Sequence, residues 1–179
     1  MPAFVDITTF PEPDPDENPW VGDRPPTDRL SVVDYDPSWP ELFETLAEQI
    51  RSTLGAAVLA IDHVGSTAVP GLAAKEVIDI DLTIGDPRAE HRYVPPLELL
   101  GYRLTVREPS FYEHRMLRLQ SPRVNVHVFG PDCPENARHL LFRDWLREHP
   151  DDRARYGAAK RTAVSAGGTV MDYNARKEP

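Results

Sequence analysis

Cysteine is almost absent: Cys133 stands alone among 179 residues, so the chain can form no internal disulfide and no Cys-based zinc site. No apolar run is long enough to cross a bilayer, and the N-terminus lacks the basic-then-apolar order of a secretory signal. Positive charge is also scarce. Lys and Arg total 20 against 29 Asp and Glu, a formal net charge of -9. Proteins that hold long nucleic acids do so with a basic face, so a large RNA or DNA partner is disfavoured, whereas a small phosphorylated ligand is not. Aromatic residues make up only 8%, but 40% hydrophobic and 27% charged residues suit one globular domain of ordinary size. These absences together lead us to expect a cytoplasmic protein with no membrane attachment.

Proline is plentiful and unevenly placed. Residues 1–29 hold 7 of the 19 prolines, with seven acids against two bases. Proline removes backbone donors and acid repulsion extends the chain, so this segment is expected to be a flexible leader. The alternative is an arm lying across the domain through Phe4, Ile7, Phe10 and Trp20. Residues 30–179 then form the folded domain.

From residue 30 onward the pattern is mixed α/β (α+β). A short strand is expected at 30–35, then a helix capped by Ser38 in which Trp39, Leu42, Phe43, Leu46, Ile50 and Leu54 recur at helical spacing until Gly55. Further strands are predicted at 58–64, 77–84, 102–107, 113–119 and 124–129, and helices at 92–100, 135–148 and 151–166, followed by a last turn or helix after Gly167 and Gly168. A mixed central sheet with helices packed mainly on one face accommodates this order.

The strand at 77–84 carries the strongest chemical signal. Alternation sends Ile78, Ile80, Leu82 and Ile84 to one face and Asp79, Asp81 and Thr83 to the other. Two carboxylates two residues apart stand about 6.5–7 Å apart at the backbone, so their oxygens can converge on one cation. Hard oxygen donors of this kind suit Mg2+ (or Mn2+), with substrate phosphates completing the shell. Upstream, Gly65 follows an apolar strand and opens the turn Gly65-Ser66-Thr67. Glycine allows close approach there, and the following N–H groups and hydroxyls are suited to phosphate oxygens.

A Gly-Ser turn, a spacer and then a strand bearing Asp-x-Asp is the pattern of the nucleotidyltransferase fold. The run from His63 to Ile80, HVGSTAVPGLAAKEVIDI, closely resembles the signature of the GrpB family. Tyr35-Asp36-Pro37-Ser38-Trp39-Pro40, the stretch from Leu141 to Pro150, and the spaced Tyr156, Lys160, Tyr173 and Lys177 also match that family. Two departures stand out: Glu76 replaces a proline common after the Ala-Lys pair, and Asp81 adds an acid that many members lack.

The resemblance implies a nucleotidyltransferase-like fold and leaves the substrate open. A third acid from the neighbouring strand is usual in that fold, but here Asn125 and His127 occupy the corresponding face. His127 is read as a third ligand or as the proton acceptor for an attacking hydroxyl, or else as a histidine merely hydrogen-bonded beside the site. Lys75, in the loop after the turn, and Arg115, on a strand, are candidate phosphate contacts. Lys160 and Lys177 join them by resemblance alone. Arg143 is read chiefly as a packing residue, and His139 and His149 as surface residues.

The expected activity is metal-dependent transfer of a nucleoside monophosphate from ATP, or another triphosphate, to a small-molecule acceptor. Asp79, Asp81 and His127 would be catalytic, with Gly65, Ser66, Thr67, Lys75, Arg115 and Lys160 on the nucleotide. Two alternatives use the same site: an ATP-dependent ligase making an amide through an adenylated carboxylate, and a non-catalytic nucleotide or phosphometabolite binder. A third is an interaction module whose acidic arm engages a basic partner.

Overall fold

Strand alternation in the Asp-x-Asp segment divides the whole molecule into an apolar and a polar side. The computed structural model describes residues 2–12, 14–22 and 31–165. The predicted turn after Gly167, and with it Tyr173 and Lys177, lies outside the described residues. Five strands form one mixed sheet: β1 (Val58–Val64), β2 (Ile78–Ile84), β3 (Arg103–Glu108), β4 (His114–Leu119) and β5 (Val124–Phe129), in spatial order β1-β2-β5-β4-β3. β2 and β5 run parallel, and the other pairings are antiparallel. The architecture is α+β, as the sequence predicts.

Ile78, Ile80, Leu82 and Ile84 of β2 join Val124, Val126 and Val128 of β5 in the core. The helix α2 (Trp39–Leu54) supplies Phe43, Leu46 and Ile50 to it, and α3 (Val94–Leu99) supplies Leu97. The Ser38 hydroxyl makes no capping bond. The Asp36 carboxylate instead accepts the Ser38 N–H at 2.8 Å, which sets the chain's entry into α2. The strand expected at 30–35 reduces, among the described residues, to a single bridge between Val33 and Ala74.

The opposite face of the sheet carries Asp79, Asp81, Asn125 and His127 and is partly covered by α4 (Pro134–Glu148), against which α5 (Pro150–Ser165) packs. α4 docks through arginines. Arg143 donates to the His63 carbonyl at 3.0 Å, and Arg147 donates to that of Ala68 at 2.8 Å. Arg143 is therefore a docking residue that also borders the cavity described below.

The described residues of the acidic leader make specific contacts with the domain. Residues 4–8 form the short helix α1 (Phe4–Thr8), and Arg138 of α4 donates to the carbonyls of Asp6, Ile7 and Thr9, each at 2.7 Å. Its guanidinium also lies over the Phe10 ring, 4.2 Å from the centroid. Terminal helix carbonyls have no intrahelical partner, and one guanidinium fork satisfies several at once. Aromatic burial is not what holds the arm, since Phe4 is 81% exposed. Farther on, Val21 N–H donates to Thr105 O and Arg107 N–H to Pro19 O, so Trp20 bridges to β3 and reaches the polar face. No helix among the described residues is long and apolar enough to cross a membrane.

Candidate functional site

A cavity of about 420 Å³ opens on the polar face, and Gly65, Ser66, Lys75, Asp79, His127 and Lys160 all line it. The fold thus gathers most of the predicted site. Val64 pairs with Asp79 across β1 and β2, which brings the Gly65 turn directly over the carboxylate. Gly65 has φ +68°, and a Cβ built on it would lie 2.5 Å from Asp79 Oδ2. Only glycine accommodates both the left-handed backbone and this close approach.

Asp79 belongs to a hydrogen-bonded row. Asn125 Nδ2 donates to Asp79 Oδ1 at 2.8 Å, and Arg118 Nε donates to Asn125 Oδ1 at 3.1 Å. His127 Nε2 lies 3.9 Å from the same Asp79 oxygen. Among the described residues, five that line the cavity are Lys or Arg (Lys75, Arg118, Arg123, Arg143 and Lys160), whereas Asp79 is the one Asp or Glu. Lys160 is buried with its ammonium 5.2 Å from the Tyr156 ring centroid, a cation–π contact. The cavity is therefore cationic, with apolar walls that include Val69, Met116 and Phe142.

Asp81 is placed differently from its expected role. Its side chain is fully buried and does not line the cavity; Asn136 Nδ2 and His139 Nδ1 each approach Oδ2 at 2.9 Å. Across β1 lies Asp62, whose carboxyl is raised by burial, countered by Arg143 and reinforced by the Asp81 charge. The cation that adjacent carboxylates require is supplied here by protein. Among the described residues no group of three or more His, Cys, Asp or Glu side chains is arranged to hold a metal ion. The expected two-carboxylate magnesium site thus does not fit this donor set, because the oxygens of Asp81 are already committed to α4.

His139 is accordingly not the surface residue that the sequence suggests. Burial alone lowers an imidazole, but hydrogen bonds and charge from Asp81 and Glu135 outweigh that and push His139 up to about 10. It is an imidazolium at the cavity edge. Two predicted phosphate contacts have other partners, although Thr67 also lines the cavity. The Thr67 hydroxyl donates to Val77 O at 3.1 Å and lies 3.0 Å from His63 Nε2, so it staples the turn to the sheet. Arg115 points to the core side, where its Nε meets Glu90 Oε1 at 2.7 Å. Arg118, which shares the strand but has the opposite parity, takes its place in the cavity.

A family model described as GrpB protein matches residues 29–179. The chain belongs to the GrpB family. A UPF0157 protein of Halalkalibacterium halodurans is 46% identical over 138 residues, 77% of this chain and 71% of that one. The crystal structure of the conserved protein GrpB from Enterococcus faecalis is similar with a TM-score of 0.70 and 31% identity, covering 80% of this chain and 88% of that one. A dephospho-CoA kinase of Mycolicibacterium paratuberculosis is 35% identical over 177 residues, but the match spans 84% of this chain and only 44% of the kinase. Its name therefore describes a protein more than twice as long as the shared part.

Sequence reading of this GrpB chain missed His114, Asn136 and Arg118. Strand parity contains a usable signal for two of them: Leu117 and Leu119 pack with the core, which leaves His114, Met116 and Arg118 for the opposite face.

Proposed function

We propose that the cationic cavity binds a nucleoside triphosphate and that the protein transfers the nucleoside monophosphate to a hydroxyl-bearing small molecule. The observation that carries this reading is the pairing of a 420 Å³ cavity, rich in Lys and Arg, with a single carboxylate beneath a glycine turn. An anionic ligand gains from such a field, and developing negative charge on phosphoryl oxygens is stabilised by fixed cations. Ser66, Lys75, Arg118 and Lys160 are the residues suited to the phosphates. Asp79 and His127, 3.9 Å apart, bracket the position for the acceptor hydroxyl. His127 takes its proton as the oxygen attacks the α-phosphorus and pyrophosphate leaves, and the Asp79 carboxylate stabilises the imidazolium that forms. Asp81 acts at one remove, by holding His139 charged and in place. The relative named dephospho-CoA kinase supports chemistry on phosphorylated small molecules, within the limits of its partial match.

The test is calorimetry with ATP, with and without magnesium, followed by product analysis with a panel of hydroxyl acceptors. Wild-type protein is expected to bind and to release pyrophosphate, while Asp79→Asn binds but loses turnover by about 10²–10⁴-fold. Undiminished turnover by Asp79→Asn contradicts the transfer. Binding by both proteins with no product from either leaves the non-catalytic reading, which the commitment of Asp81 to Asn136 and His139 favours.

A further inference from the structure

A row of polar side chains leads from the cavity along the same face to the β3 edge of the sheet. His127 Nδ1 lies 3.1 Å from His114 Nε2, and His114 Nδ1 lies 2.6 Å from Glu108 Oε2. The register builds this row: His127 is opposite Met116 on β4, one alternation from His114, and His114 is paired with Glu108 on β3. The rings of His114 and His127 are stacked at 5.2 Å, and Phe129 stacks on His114 at 4.9 Å. Phe111 meets the His114 ring edge-on. The imidazoles are thus held in orientation by aromatic neighbours. Glu108 sits at the outer end, a third exposed, and borders a second recess of about 170 Å³ lined by arm residues such as Pro11 and Glu17.

Hydrogen-bond accounting then assigns the protons. A carboxylate can only accept, so the 2.6 Å contact places a proton on His114 Nδ1. His114 is buried, and a neutral ring with Nδ1 protonated has a bare Nε2, which accepts. The donor in the 3.1 Å contact is therefore His127 Nδ1–H. In a neutral ring this leaves His127 Nε2 with an open lone pair, on the edge nearest Asp79 and beyond hydrogen-bond distance from it at 3.9 Å.

We propose that Glu108 and His114 are positioning residues that lock His127 as the Nδ1–H tautomer and so present Nε2 as the proton acceptor of the cavity. The row also gives the proton an exit. A hydroxyl proton taken by His127 Nε2 releases His127 Nδ1–H to His114 Nε2; His114 Nδ1–H then passes to Glu108, which returns it to solvent. Each imidazole gains one proton at Nε2 and gives one up at Nδ1, and the acceptor oxygen forms its bond to phosphorus as pyrophosphate departs. This catalytic use rests on the transfer reading above; the tautomer does not.

The test is the imidazole nitrogen spectrum of the full chain labelled with ¹⁵N-histidine, assigned by His127→Gln. A protonated-type shift at His127 Nδ1 and an unprotonated-type shift at Nε2 are expected. Glu108→Ala, or His114→Phe with its similar volume, is expected to move the proton largely to Nε2. Glu108→Gln, whose amide oxygen still accepts, restores the Nδ1–H form. Turnover, where present, falls about 100-fold in Glu108→Ala and recovers in Glu108→Gln. A wild-type His127 protonated at Nε2, or a tautomer unchanged in both Glu108→Ala and His114→Phe, overturns the proposal even if the protein transfers nucleotides. The expected tautomer in a protein without turnover supports the positioning row and removes the transfer reading instead.

Discussion

His63 and His139 approach the same sheet from opposite sides, and their environments drive them apart. His63 lies on the core side, paired with Ile80 and stacked on Phe43 with centroids 4.7 Å apart. Burial holds it down to about 4, with Asp79 pulling upward and Arg147 and Arg143 downward. His139 lies against the polar face and is pushed up to about 10 despite its own burial cost, because Asp81 and Glu135 bond to it. The core face is satisfied by apolar area, which is non-directional. The polar face is satisfied by pairs, each needing a particular partner at a particular distance. Such a face fixes orientation, and orientation is what a reacting group requires.

The two faces should therefore fail differently. The largest effect is expected from Asp81→Ala, which takes the fully buried partner from the half-buried His139 imidazolium and from Asn136 Nδ2, and should cost about 3–5 kcal/mol in urea unfolding. Replacing Asp81 and His139 together by Leu and Met should recover much of that loss, since an apolar pair needs no partner. On the core face, Ile80→Val should cost only about 0.5–1.5 kcal/mol with no rescue by any second change. Equal losses for Asp81→Ala and the double variant would dissolve the distinction.

A smaller effect is expected on varying pH. His139 is raised from its ordinary value of 6.5, so its contribution is complete below pH 6.5 and is lost as pH rises toward 10. His63 is lowered, so the folded state resists its protonation, and stability falls as pH drops from 6.5 toward 4. Unfolding free energy measured against pH should show both slopes, and His139→Gln should remove the alkaline one alone. An alkaline slope that persists in His139→Gln assigns it to another group.

Much of the fold was legible because its signals are local. The α2 stripe from Trp39 to Ile50 and the alternation of β2 need only neighbouring residues to be recognised. The Gly65 turn and Asp79 were also readable, since they lie only 14 positions apart. What escaped depends on distant contacts. His139 lies 58 residues from Asp81, and Arg138 lies 131 residues from Ile7, so no spacing rule brings α4 or the N-terminal arm to its place. Arg115 was misplaced for a different reason. Its charge drew it to the site on paper, although it shares parity with buried Leu117, and only the ion pair with Glu90 explains an arginine on that side. Alternation puts Asp81 on the correct face, but it says nothing of the histidine that the fold brings to it from α4.

The account stands most directly on where a nucleotide binds. A crystal structure of the full chain with magnesium and a non-hydrolysable nucleoside triphosphate should show phosphate oxygens within hydrogen-bond reach of Ser66 and Lys75, with His127 facing the α-phosphorus. A nucleotide seated away from the Gly65 turn, or no nucleotide at saturating concentration, would contradict it.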